Sequence, residues 1–221
     1  MVQNLDLDLS TSVTLNSTTS DLTAGRTWTP QNSTQTTTGT VWADDGGNVA
    51  RSFDPGNIYF PNGVGTGTPD SYDNLQGTTS GEPWEFIGNY YNWYAATAGS
   101  GTSTTSSGDA SDSICPKGWR LPKSSGTGSS QNLFNTYNIT DDADGGAKVL
   151  MPPINYVRNG YYSIASHGSG VGIYASGRRG LFWTSTVNSS THTYNIEVNE
   201  NSVSLVESRR GWGFGVRCIA R

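Results

Sequence analysis

The sequence predicts an α+β domain of short antiparallel strands, with two short helices and extensive irregular loops. Three observations carry that expectation. First, Tyr194, Ile196 and Val198 alternate with Thr193, Asn195, Glu197 and Asn199, and after the polar turn Asn199-Glu200-Asn201-Ser202 the alternation resumes at Val203 and Leu205. Side chains on a strand point alternately to opposite faces, so a period of two reads as half-buried strands. Second, charged residues make up only 14% of the chain and glycine contributes 28 residues, so that helix-forming runs are sparse while Thr, Tyr, Trp and Val favour strands. Third, tracts of Ser, Thr, Asn and Gly separate the apolar stretches, as long loops do.

In chain order, VQNLDLDL at 2–9 alternates and is expected to form the first strand. From 10 to 48 the pattern dissolves into a loop with Leu15, Leu22, Trp28, Val41 and Trp42 as apolar anchors. Asp54-Pro55-Gly56-Asn57 is a turn, and 61–81 reads as a mobile surface loop within one domain spanning 1–221, whose part up to residue 87 is loop-rich. GNYYNWYAATA at 88–98 is the first helix candidate, and 99–113 is a low-complexity stretch expected to be a flexible loop. The second helix candidate is 130–137, where Leu133, Phe134 and Tyr137 fall at helical spacing. The C-terminal core sheet occupies 181–221, with Trp212, Phe214, Val216 and Cys218 apolar and small residues or Arg217 between them. Its outer face, built of Asn, Ser, Thr, Glu and Arg, reads as solvated.

A net charge of −5 and a pI near 4.9 leave no electrostatic footprint for nucleic acid or an anionic membrane. No apolar run is long enough to cross a membrane and no signal peptide is evident. A chain that is strand-like from its first residues is expected to be a segment of a longer secreted or anchored protein. Cys115 and Cys218 are too few for a structural zinc site. They are either two buried thiols or a disulfide closing a loop of about 100 residues, which would stabilise the fold by about 4.7 kcal/mol in the chain-entropy account. The hydroxyl-rich, lysine-poor composition favours the bridge.

ICPKGWRLP at 114–122, preceded by YNWYAATA at 91–98 and followed by LFWTST at 181–186 and GFGVRCIAR at 213–221, forms an ordered set of blocks. Together with VQNLDLDL at 2–9 and DPGNIYF at 54–60, it resembles the Fibrobacter major paralogous domain family of bacterial surface proteins across nearly the whole chain. The resemblance implies a C-type lectin-like fold, of the branch shared with formylglycine-generating enzymes and with the variable proteins of diversity-generating retroelements. It also implies that Cys115 and Cys218 pair, that Trp119, Trp183 and Phe214 are core, and that the segment between Trp183 and Gly213 carries any variable display. The function so implied is ligand binding at a bacterial or phage-encoded cell surface, toward a protein or glycan on another cell or host. The alternatives are a structural or adhesin domain without a discrete ligand, and an oxidase of the formylglycine-generating type.

The binding residues expected on these grounds are Asn188, His192, Tyr194, Asn195, Glu197, Asn199, Asn201, Ser208, Arg209, Arg210 and Trp212. Tyr161, Tyr162, Tyr174, Arg178 and Arg179 fall in the same part of the chain. Tyr, Trp and Arg supply large contact area and directional hydrogen bonds, and the arginines have no packing duty in this reading. The polar positions Thr193, Asn195, Glu197, Asn199, Asn201, Ser208 and Arg209 are expected to tolerate substitution as surface residues do. No catalytic residue is expected. His167 and His192 lack a nucleophile-elbow context, and the paired reactive cysteines of the enzyme branch have no counterpart near Cys218. No cofactor is expected either; Asp142 and Asp144 match a calcium loop only in part, since the downstream bidentate Glu is missing. Calcium-dependent sugar-reading motifs are absent, so a lectin fold would not by itself imply sugar binding.

Overall fold

The computed structural model describes residues 4–5, 7, 13–30, 52–53, 88–102, 104–125, 134–137, 139, 145, 148–150, 154, 156–163, 172–175, 179–199 and 202–221. Strands β1 (Leu15–Asn16) and β2 (Thr27–Trp28) form a small hairpin, and β3 (Ser52–Phe53) pairs with β4 (Tyr90–Tyr91). Helix α1 (Trp93–Ala96) follows, then β5 (Gly108–Asp109), β6 (Trp119–Arg120), β7 (Tyr161–Ser163) and β8 (Gly172–Tyr174). Strands β9 (Arg179–Val187), β10 (His192–Asn199) and β11 (Val203–Arg209) precede β12 (Ile219–Ala220), which pairs with β6. The largest sheet runs β11-β10-β9-β5, with every neighbour antiparallel. This strand-rich, mixed architecture is α+β.

The C-terminal run 213–217 is the seam of the molecule. Phe214 exchanges backbone hydrogen bonds with Tyr91, both 2.9 Å, and Gly213 does so with Tyr162, both 2.8 Å. Gly215 donates to the Leu181 carbonyl and accepts from the Trp183 amide, while the Val216 carbonyl accepts from Leu5. Glycine is required at 215, because a Cβ there would lie 2.8 Å from Asn159 Nδ2 and 3.1 Å from the Phe182 ring.

Both faces of the main sheet are covered. Leu181, Trp183 and Val187 join Tyr91, Trp93, Phe214, Val216 and the disulfide in one apolar cluster. Phe182, Ile196, Val198 and Val203 join Phe134, Val149, Ile154 and Tyr156 in a second, on the other side. The alternation of Ile196 and Val198 is therefore the core pattern expected, and Tyr194, on the same face, is half-buried at the sheet end. The solvated outer face is not found along the whole strand. Thr193 and Asn195 are fully buried and Ser208 nearly so, because Asn195 stands opposite Trp183, and Thr193 opposite Val187, on the face that packs into the first cluster. Thr193 answers burial by donating to the Thr186 carbonyl. Neither side-chain amide atom of Asn195 finds a partner among the described residues.

Arg217, expected between core positions, is itself buried. It donates to the Ile154 carbonyl and to Asn4 Oδ1 (3.3 Å), and lies 5.0 Å from the Tyr156 ring centroid. Burial pushes its guanidinium pKa down and pushes the Tyr156 hydroxyl up to about 12, each charge opposing the effect on the other. Trp183 and Phe214 are fully buried as expected, whereas Trp119 is only half-buried against the cluster. Cys115 and Cys218 are bonded, their Cα atoms 5.9 Å apart.

Of the first expected strand, Asn4, Leu5 and Leu7 are described; they belong to no named strand, although Leu5 is buried and hydrogen-bonded to Val216 and Asn89. Within the expected loop of 10–48, β1 and β2 pair, and Leu15 and Leu22 are buried with Trp28 packed against them. The helix expected over 88–98 shrinks to α1, since Tyr90 and Tyr91 spend their backbone groups on β3 and Phe214 instead. Asn92 caps it by accepting from the Ala95 amide, and it ends where Ala98 and Gly99 turn left-handed. Of the second helix, Phe134–Thr136 is helical; Phe134 is buried but Tyr137 is 44% exposed. Val41, Trp42, the 54–57 turn, the 61–81 loop and Leu133 lie outside the described residues.

The segment 99–113, expected to be a flexible loop, is tied down at several of its described residues. Gly101 lies so close to Trp93 that a Cβ would meet the indole at 2.1 Å. Asp112 accepts from the Thr23 amide (2.8 Å) and hydroxyl (2.6 Å) and pairs with Arg26. Burial works to raise its pKa, but these donors and the Arg26 charge outweigh it and hold the carboxyl below the ordinary range. A depressed folded pKa means stability that is present above the unfolded value near 3.8 and lost as pH falls through the folded one. Asp112→Asn is thus expected to cost about 1.5–3 kcal/mol at neutral pH. The deficit should shrink toward pH 2, which urea titrations at both pH values would check.

Candidate functional site

Arg210 organises the exposed end of the main sheet. It sits one residue past β11, fully buried, with its guanidinium 4.6 Å from the Trp93 ring centroid. Nη1 donates to the Thr102 carbonyl and Nη2 to the Thr105 carbonyl, both at 2.6 Å, and Nη2 also reaches the Ser189 carbonyl. Burial pushes its pKa down and contact with Tyr94 raises it. An arginine remains charged under such conditions, and its planar fork of donors suits several carbonyls at once. The result is a staple: the 102–105 loop and the turn between β9 and β10 are held side by side by one side chain.

Around that staple lies a polar rim. Ser190, Thr191, Arg209, Thr104, Ser106 and Ser107 are exposed, and Asn188, Ser189, His192 and Tyr194 are half-buried. The turn is built by its own side chains. The Ser189 hydroxyl accepts from the His192 amide (3.1 Å), the Tyr194 hydroxyl donates to Asn188 Oδ1 (3.0 Å), and the Thr191 hydroxyl lies 2.9 Å from His192 Nδ1. His192 and Arg209 stand opposite one another in the β10–β11 register, as do Tyr194 and Glu207. Beside the rim, Trp212 stacks on Tyr161 with centroids 5.4 Å apart and planes 13° apart, both rings half-buried over Phe214.

The eleven expected binding residues therefore divide. Asn188, His192, Tyr194 and Arg209 come together on the rim, with Trp212 beside them. Asn195, Ser208 and Arg210 are buried and belong to the frame. Glu197 and Asn199 sit at the opposite end of β10, where Glu197 lies 3.6 Å from Arg179 and accepts from Asn199. Asn201, His167, Arg178 and the Asp142/Asp144 loop lie outside the described residues, as do the side chain of Tyr174 and Glu200. Arg179, Arg209 and Arg210 do not gather into one basic spot: Arg179 lies 3.6 Å from Glu197, Arg209 is exposed on the rim, and Arg210 is buried. Among the described residues no group of three or more His, Cys, Asp or Glu side chains is placed to hold a metal.

What the sequence reading missed is the 102–105 loop. Its only local signal is a hydroxyl-rich composition that ordinary loops share, and the staple that brings it to the rim spans more than a hundred residues of chain. No family model matches this chain, and neither a curated protein nor a solved structure does.

Proposed function

We propose that this protein is a non-enzymatic binding module of a bacterial or phage-encoded cell surface. On this reading it has a C-type lectin-like fold of the Fibrobacter major paralogous type and presents the Arg210-stapled rim to a protein or glycan on another cell or host. The observation that carries this reading is the division of labour around Arg210. The frame beneath is buried and held by the hydrogen bonds of Arg210, while Ser190, Thr191 and Arg209 above it are exposed and His192 is half-buried. Such an arrangement suits retroelement diversification, in which side chains change while the scaffold persists. Tyr194, Trp212 and Arg209 are of the residue types that dominate binding energy elsewhere. The engagement of both cysteines in one disulfide supports a binding role over an oxidase that would need free thiols.

The test is a displayed library randomised at Asn188, Ser190, Thr191, His192 and Arg209, screened against panels of proteins and glycans. Single substitutions at the exposed Ser190 and Arg209 are expected to stay within about 0.5 kcal/mol of the parent, and those at Asn188, Thr191 and His192, whose side chains bond within the turn, to cost up to about 1 kcal/mol. The library is expected to yield binders whose specificity follows the randomised residues. A library that folds but binds none of several targets would transfer the weight to a structural or adhesin domain without a discrete ligand.

A further inference from the structure

A second concavity shares no lining residue with the rim. It encloses about 530 Å³, within the range of small-molecule sites. One wall is the 109–113 segment with Asp21 behind it, and the other is the β6–β12 ribbon with Lys123. Arg120 stands opposite Ile219 in that ribbon, which places Arg120 and Arg221 on the same face. The charges lining the space can be matched one by one. Asp109 pairs with Lys123 at 2.9 Å, Asp21 with Arg221, and Asp112 with Arg26. Arg120, half-buried, is the cation left over: it makes no ion pair and no side-chain hydrogen bond among the described residues.

We propose that this cleft binds a small organic carboxylate, its negative charge taken by the Arg120 guanidinium. One unmatched guanidinium calls for one negative charge, and the planar fork fits a carboxylate through two parallel hydrogen bonds. Asp21, Asp109 and Asp112 are each matched by a cation, so the uncompensated charge of the cleft is the single positive one of Arg120, which a carboxylate monoanion balances and a phosphate dianion overfills. The volume exceeds what a bare carboxylate fills. Ala110 offers apolar contact and the exposed Ser111 a hydroxyl, so a ring of sugar-acid size bearing hydroxyls matches the space.

The experiment is a titration of the folded protein followed by NMR of the Arg120 side-chain Nε–H and the 109–113 amides. D-glucuronate is the probe, with D-glucose and glucose 6-phosphate as neutral and dianionic counterparts. Saturable shifts at those signals are expected for glucuronate with an apparent Kd of about 1 mM or tighter. Glucose should give no saturation, and glucose 6-phosphate should bind at least several-fold more weakly. Arg120→Gln should abolish the glucuronate shifts with the rest of the spectrum unchanged, and Arg120→Lys should retain weakened binding. Any of three results overturns the proposal: no saturable shift with glucuronate, equal or tighter binding of either counterpart, or unchanged binding by Arg120→Gln. None of these results bears on binders selected at the rim, so the two readings fail separately.

Discussion

Trp183→Ala is expected to lower the unfolding free energy by roughly 3–5 kcal/mol, since the surrounding packing can only partly close around the space it leaves. Trp183 is fully buried, stacks on Phe214 at a centroid distance of 4.1 Å, and donates from Nε1 to the Tyr91 carbonyl at 2.6 Å. The substitution therefore opens a void at the crossing of β9, β4 and the 213–217 seam, and leaves the Tyr91 carbonyl with the Phe214 amide as its remaining donor among the described residues. For a chain of this size the loss corresponds to a fall of roughly 6–20 °C in Tm. Chemical denaturation of the variant beside the parent checks it. A cost below about 1 kcal/mol would mean that this junction is not the close-packed centre of the fold.

Arg210→Met carries the second large expectation, about 3 kcal/mol, because the thioether keeps the packing on Trp93 but leaves three carbonyls without their charged donor. The loss is expected to be local in character as well as global. Amide exchange should accelerate at 102–105 and 189–192 well before the rest of the sheet opens, and binders selected on the rim should weaken without any change to the residues that touch their ligand. Arg210→Lys should restore only part of the stability, since an ammonium is a point donor and cannot span three acceptors as the guanidinium does. Parent-like melting and unchanged exchange in Arg210→Met would remove the staple from this account.

These two residues also mark how far the sequence could be read. Trp183 and Phe214 were core positions by the family resemblance, and Phe214 also by its alternation with Trp212, Val216 and Cys218. The period-two pattern from Tyr194 to Val203 likewise gave β10, its turn at Asn199 and the start of β11, since alternation is a property of the strand itself. Arg210 was not legible as a buried residue. A long cationic side chain reads as exposed until the carbonyls and the aromatic face that satisfy it are known, and its acceptors lie on segments distant in the chain. Arg217 was misread for the same reason, with Ile154 and Asn4 as its distant partners.

The sequence by itself determined the strand-rich α+β class, the apolar face of β10, the apolar alternation through Phe214, Val216 and Cys218, and the presence of two cysteines that a disulfide would suit. These are consequences of local periodicity and residue size. Only the tertiary structure decided that the other face of β10 is covered too, so that Thr193, Asn195 and Ser208 are frame and not display. It alone joined the 102–105 loop to the turn at 189–192, and left Arg120 unmatched in the cleft beside the β6–β12 ribbon. Alternation says which side chains share a face of a strand. What lies against that face is set by contacts between segments far apart in the chain, and no local pattern encodes them.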